Sequence, residues 1–191
     1  MGVHLVTGYA GKEHITSADD GAFNAGIAGS GKYVLQTGSM FEAEVVSNNK
    51  IKIKDGDLIN QGRHIRIAPD NQEECTIDNG LQSVKRNDLI IIRYSKNIET
   101  DVETAQVMVL KGVSGATAVD PTYTSGDILG GAVTDDFPLY RVKLDGLNIT
   151  AVEKMFATLV PLSGRPNIYY GTSAPDNSVG KDGDVYMKII S

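Results

Sequence analysis

Between residues 50 and 94 the side chains keep changing character with a period of two, and turn signals break the pattern every few residues. Lys50-Ile51-Lys52-Ile53-Lys54 alternates without a fault. A strand sends successive side chains to opposite faces, so this run offers its lysines to water and its isoleucines to a core. Asp55-Gly56-Asp57 reads as a turn. Leu58-Ile59-Asn60 and Arg63-His64-Ile65-Arg66-Ile67 flank Gln61-Gly62, the mark of a hairpin or bulge. Glu74-Cys75-Thr76-Ile77 leads into Asp78-Asn79-Gly80, whose Asn-Gly pair is a turn signal. Asp88-Leu89-Ile90-Ile91-Ile92-Arg93-Tyr94 is the most apolar run and belongs at the centre of a sheet.

The same grammar extends both ways. Tyr33-Val34-Leu35-Gln36-Thr37, Phe41-Glu42-Ala43-Glu44-Val45-Val46, Ala105-Gln106-Val107-Met108-Val109-Leu110-Lys111 and Phe137-Pro138-Leu139-Tyr140-Arg141-Val142-Lys143-Leu144 read as strands. Residues 113–126, with Gly, Thr, Asp and Pro121, read as an exposed loop. Two segments depart from period two. Residues 17–28 predict a helix: Thr16 and Ser17 are good caps, Asp19 and Asp20 favour the first turn, Ser17 with Asp20 has capping-box spacing, and Gly29 supplies a stop. Residues 150–159 predict a second helix, from the capping-box spacing of Thr150 and Glu153 and the stripe Val152, Met155, Phe156, Leu159, with Pro161 ending it.

The expected fold is therefore mainly β: an antiparallel sandwich or barrel over residues 1–160, with an N-terminal helix and a short helix near residue 155. A linker and small C-terminal β module follow over residues 161–191, with a turn at Lys181-Asp182-Gly183-Asp184 and a final strand from residue 185. At 191 residues, the chain can bury a core without disulfides.

Composition narrows the function. The net charge is −6, and the densest cluster of positive charge is the wet face of Lys50, Lys52 and Lys54, so nucleic-acid binding is not expected. No apolar run is long enough to span a bilayer, so no membrane insertion is expected. Thr7 sits one place too far from Gly2 for the myristoylation pattern. Cys75 stands alone and reads as a small buried strand residue. His4, His14 and His64 lack metal-pair spacing, and no metal or cofactor is expected. Gly26-Ile27-Ala28-Gly29-Ser30-Gly31-Lys32 imitates a phosphate loop, but a helix precedes it, a strand follows, and Tyr33 stands where Ser or Thr would hold magnesium. The pairs Asp19-Asp20, Glu73-Glu74 and Asp135-Asp136 have the residue type for glycoside hydrolysis; with no Trp and few aromatics, they read as solvated turns and caps.

Two surfaces stand out as candidates for binding. On the first helix Ala18, Ala22, Ala25 and Gly29 share a side, while Phe23 and Ile27 fall roughly opposite. The small stripe Ala18, Ala22, Ala25 and Gly29 would let another backbone approach closely and is the candidate subunit contact: the helix either packs one side on its own domain and the other on a neighbouring subunit, or lies sunk within a single core. Tyr169 and Tyr170 are the best candidates for a surface-binding aromatic platform.

Several runs resemble tail and baseplate proteins of tailed phages and prophages. His14-Ile15-Thr16-Ser17-Ala18-Asp19-Asp20-Gly21-Ala22-Phe23-Asn24-Ala25-Gly26 looks like their opening. Lys54-Asp55-Gly56-Asp57-Leu58-Ile59-Asn60-Gln61-Gly62-Arg63 and Arg86-Asn87-Asp88-Leu89-Ile90-Ile91-Ile92-Arg93-Tyr94 continue in kind. Tyr170-Gly171-Thr172-Ser173-Ala174-Pro175 with Gly180-Lys181-Asp182-Gly183-Asp184-Val185-Tyr186 looks like a short tail-fibre module. The resemblance carries no catalytic residues. It implies a virion structural protein of the tail or baseplate, made in the host bacterial cytoplasm and assembling as a homo-oligomer, trimer favoured. Its expected partners are other tail and baseplate proteins and host cell-surface polysaccharide. The alternatives are a free-standing carbohydrate- or surface-binding β module, and a glycoside hydrolase or nucleotide-binding enzyme.

Overall fold

A computed structural model describes residues 6–7 and 15–190; Gly2, His4 and His14 lie outside the described residues. One helix, α1 (Ser17–Ala28), precedes β1 (Lys32–Leu35), β2 (Ala43–Ser47), β3 (Lys50–Asn60), β4 (Arg63–Thr76), β5 (Lys85–Lys96), β6 (Glu103–Leu110), β7 (Thr134–Asp145), β8 (Asn148–Lys154) and β9 (Thr158–Leu159). A 3-10 turn (Leu162–Gly164), β10 (Ile168–Gly171) and β11 (Val185–Lys188) follow. With 47% of residues in strands and 8% in helix, the chain is mainly β, and its antiparallel sheets do not close into a barrel. It divides into two compact units, with the boundary between Leu159 and Val160.

The larger unit is a two-sheet sandwich. In the first sheet β3 is the spine: β4 pairs along one edge, while β2 and β1 share the other, and β9 pairs with β1 in parallel. The second sheet has the order β6-β5-β7-β8, all antiparallel. The inner faces meet in one core, with Val34, Phe41, Ile51, Ile53 and Leu58 from the first side and Ile90, Ile92, Phe137, Leu139 and Val142 from the second. Ile51 and Ile53 are fully buried while Lys50, Lys52 and Lys54 between them are half-buried, as the alternation requires. Leu89 and Ile91 are fully buried on the other face of β5, which places that strand at the centre of its sheet.

Asp55-Gly56-Asp57 corrects one expectation: it is no turn, since β3 runs through it with a bulge between Lys54 and Gly56. The glycine is needed because a Cβ there would lie 2.8 Å from the Phe41 backbone nitrogen. Phe41, at a φ of 57°, is fully buried and accepts a hydrogen bond from the Tyr140 hydroxyl on its carbonyl. The Asp78-Asn79-Gly80 segment passes from β4 in one sheet to β5 in the other.

The helix expected over 150–159 is a larger correction. Residues 148–154 form β8, hairpinned to β7 through Gly146 at a φ of 59°. Glu153, read as a capping-box acid, is taken by Arg141 and Lys143 across the strand pair, at 3.1 and 2.6 Å. The β-branched Ile149, Thr150 and Val152 favour that pairing. Val152 and Phe156 do pack on the core, one from the strand and the other from the segment after it.

In the smaller unit β10 and β11 form a two-stranded parallel sheet, pairing Ile168 with Val185 and Tyr170 with Met187.

Candidate functional site

α1 is seated by its small and polar side. Its N-terminus is closed one residue earlier than the sequence spacing suggested: the Thr16 hydroxyl accepts from the Asp19 backbone N–H, and the Asp19 carboxylate accepts from the Thr16 backbone N–H. Gly21 is the helix's only buried residue. It rests on the turn between β3 and β4, where Gly62, at a φ of 86°, comes so close that a Cβ would lie 2.1 Å from the Gly21 carbonyl oxygen. The Asn24 amide donates to the Gly62 carbonyl at 3.0 Å.

Beneath Gly21 lies Arg63, which donates two hydrogen bonds of 2.9 Å to the Glu103 carboxylate on β6. That guanidinium, with help from the Tyr94 and Ser17 hydroxyls, holds the Glu103 carboxyl below its usual range against the opposing effect of burial. A polar, open cavity of about 500 Å³ runs beside this contact, lined by Ser17, Asp20, Asn24, Tyr94, Glu103 and Thr104. The arrangement clamps a helix: Ser17 and Gly21 of α1 both meet the Arg63–Glu103 pair.

The clamp decides which way the rest of α1 faces. Phe23 and Ile27 stand opposite Gly21 and are 68% and 57% exposed. Ala18, Ala22 and Gly29 on the flank are exposed, and Ala25 is half-buried. The reading of α1 as sunk within a single core is thus corrected: the side that docks is Ser17, Gly21 and Asn24, between the two apolar sides the spacing picked out. Arg63, Tyr94 and Glu103 were missed because they lie on three strands; the one local hint was two glycines at 21 and 62, each marking a close approach.

The remaining candidates are engaged elsewhere. Asp135 and Asp136, expected as solvated turn residues, are fully buried on β7. Asp135 accepts from Lys32, the Gly126 backbone and Asn60; Asp136 accepts two bonds from Arg93 and one from the Thr124 backbone. Burial opposes the charge of Asp136, yet Arg93 and the Thr124 N–H hold its carboxyl below the usual range. The pair staples the loop between β6 and β7 to the sandwich. Lys32, the lysine of the imitation phosphate loop, is committed to Asp135 at 2.7 Å.

Burial pushes the Cys75 thiol up to about 11. His64 is 2.7 Å from Asp57, and the Thr37 hydroxyl donates to that same carboxylate, so the hydroxyl meets the acid instead of the imidazole. Burial works against the Asp57 charge, but Thr37 and His64 outweigh it and hold the carboxyl below its usual range. Among the described residues no three His, Cys, Asp or Glu side chains cluster to hold a metal ion, and no helix is long and apolar enough to cross a membrane.

Tyr169 and Tyr170 are consecutive in β10, so they point to opposite faces. Tyr170 is 73% exposed, whereas Tyr169 is half-buried beside Gly180. The two do not share a stacking platform.

A scan of the chain against known protein families finds no match, and neither does a comparison with curated proteins.

Proposed function

We propose that this chain is a non-enzymatic structural protein of a phage tail or baseplate. It assembles with copies of itself, a trimer favoured, and with neighbouring tail proteins, and it supports attachment to host cell-surface polysaccharide. The phage context rests on the resemblance of the runs quoted above. The observation that carries the assembly role is α1: the helix is clamped to its own unit by Gly21, Asn24 and the Arg63–Glu103 pair while Phe23 and Ile27 face outward. An anchored helix that turns its bulky side chains to solvent is a ready contact for another subunit.

The enzymatic alternatives gain no support from the acids of β7, whose oxygens are occupied by the chain's own donors. The free-standing sugar-binding alternative loses its platform, because Tyr169 and Tyr170 stand on opposite faces of β10.

The test is the solution mass of the full chain by light scattering behind a sizing column. A mass near three times 20.4 kDa is expected, falling when Phe23→Glu and Ile27→Glu are introduced together. A clean 20.4 kDa monomer across the micromolar range would overturn the reading.

A further inference from the structure

The smaller unit has a sheet with two unlike faces. On one, Tyr169 and Tyr186 are half-buried under the unit's own connecting segment: the Tyr186 hydroxyl donates to the Ser173 carbonyl, and Tyr169 lies against Gly180. On the other stand Ile168, Tyr170, Val185 and Met187, continued by Ile189, whose N–H extends the ladder to the Gly171 carbonyl. These five are 62, 73, 47, 52 and 52% exposed, and none carries a charge. Among the unit's described residues none is buried.

Physics disfavours that arrangement in an isolated chain. Parallel sheets occur almost only with both faces covered. Two strands alone are marginal in water. A unit this small, spanning residues 160–191 and holding no cysteine, needs oligomerisation or a metal where disulfides are lacking.

We infer that the bare face of β10 and β11 is a self-association surface, covered by the same face of other copies of this chain. The occupant follows from two features. An apolar face without charges is complementary to itself, with no register of opposite charges to satisfy. Its area also suffices: the five exposures amount to on the order of 500 Å² per copy, so two copies bury on the order of 1,000 Å², the floor for a specific interface. Gathered with their bare faces towards a shared axis, the two-stranded sheets of different copies supply the core that one copy lacks. This inference rests on the self-assembly part of the reading above and locates it in a second region, independent of α1.

The test uses the full chain with three readouts. Amide exchange of β10 and β11 is measured from low to high micromolar concentration, and protection is expected to rise at least tenfold. A Tyr170→Cys variant treated with a bismaleimide of about 10 Å reach is expected to give a cross-linked product, with the buried Cys75 of the parent chain giving none. Ile168→Glu with Met187→Glu is expected to abolish both the protection and the cross-link while strand β5 stays protected. Strong protection of β10 and β11 in a chain that is monomeric would overturn the inference together with the oligomer. An oligomer whose mass survives Ile168→Glu with Met187→Glu and whose Tyr170→Cys form does not cross-link would overturn the inference alone.

Discussion

The sandwich of β1–β9 and the sheet of β10 and β11 are written in the same residue alphabet but stand in opposite relation to water. In the sandwich, Ile51, Ile53, Leu58, Ile90 and Leu139 are all at 0% exposure, because each sheet is the other's cover. In the small unit Ile168, Tyr170 and Met187 alternate just as well and stay at half exposure or more. Alternation therefore says which side of a strand is apolar and nothing about what covers it. The cover depends on how many strands the same chain can bring to that face: nine in one region, two in the other. α1 belongs to the sandwich unit by position yet resembles the small sheet in its chemistry, since its bulkiest residues, Phe23 and Ile27, point away from the core.

The difference is sharpest in what a large-to-small substitution removes. Phe41 is fully buried between Gly56 and the Tyr140 hydroxyl, so Phe41→Ala is expected to cost the sandwich about 3–5 kcal/mol in denaturant unfolding. Tyr170→Ala, which removes a side chain of similar size, is expected to shift the same transition by less than about 0.5 kcal/mol. Comparable losses from the two variants would mean that the small unit is part of the sandwich's stability, and the contrast would collapse.

Legibility from the sequence followed the same divide. Lys50-Ile51-Lys52-Ile53-Lys54 announced a strand with one wet and one buried face, and Leu89-Ile90-Ile91-Ile92 a central one, because period and apolar density are local properties. β8 was misread as a helix because Val152, Met155, Phe156 and Leu159 fit a helical stripe. The partners that made it a strand, Arg141 and Lys143, lie at the far side of a hairpin. The burial of Asp135 and Asp136 was likewise illegible, since their donors come from Lys32, Asn60, Arg93 and the loop backbone, far apart in sequence. On α1 the apolar residues were legible and the docking side was not: glycine and asparagine at 21 and 24 carry no hydrophobic signal, and their meaning comes from Gly62 and Arg63.

Whether α1 is fixed like a strand of the sandwich or held loosely like the small sheet can be decided at Gly62. Its φ of 86° already disfavours any side chain, and a Cβ would strike the Gly21 carbonyl at 2.1 Å. Gly62→Ala is expected to cost about 1–3 kcal/mol and to raise amide exchange along α1 while β5 stays protected. Loss of protection in both elements at once would show that α1 is integral to the sandwich core.

The smallest effect probes the clamp itself, and its sign is fixed by direction. The Arg63 guanidinium holds Glu103 below the ordinary glutamate range in the folded chain. A carboxyl whose folded pKa is depressed contributes stability fully above its unfolded pKa, about 4.3 for glutamate, and loses it as pH falls through the lower folded value. At pH 7 Glu103→Gln is expected to loosen α1 by about 1 kcal/mol, because the neutral amide keeps the shape of the contact without its charge. Below pH 4.3 the opened form takes up a proton first, and the folded carboxylate follows at its lower value, so the gap between parent and variant in α1 amide exchange should close progressively as pH drops. The parallel pair β10–β11 has no acid-linked clamp on its bare face, where Ile168, Tyr170, Val185, Met187 and Ile189 stand, and the substitution should leave its exchange unchanged over the same range. A gap that persists undiminished at pH 3 would show that Glu103 acts on α1 through its shape alone, and that charge has no part in seating the helix.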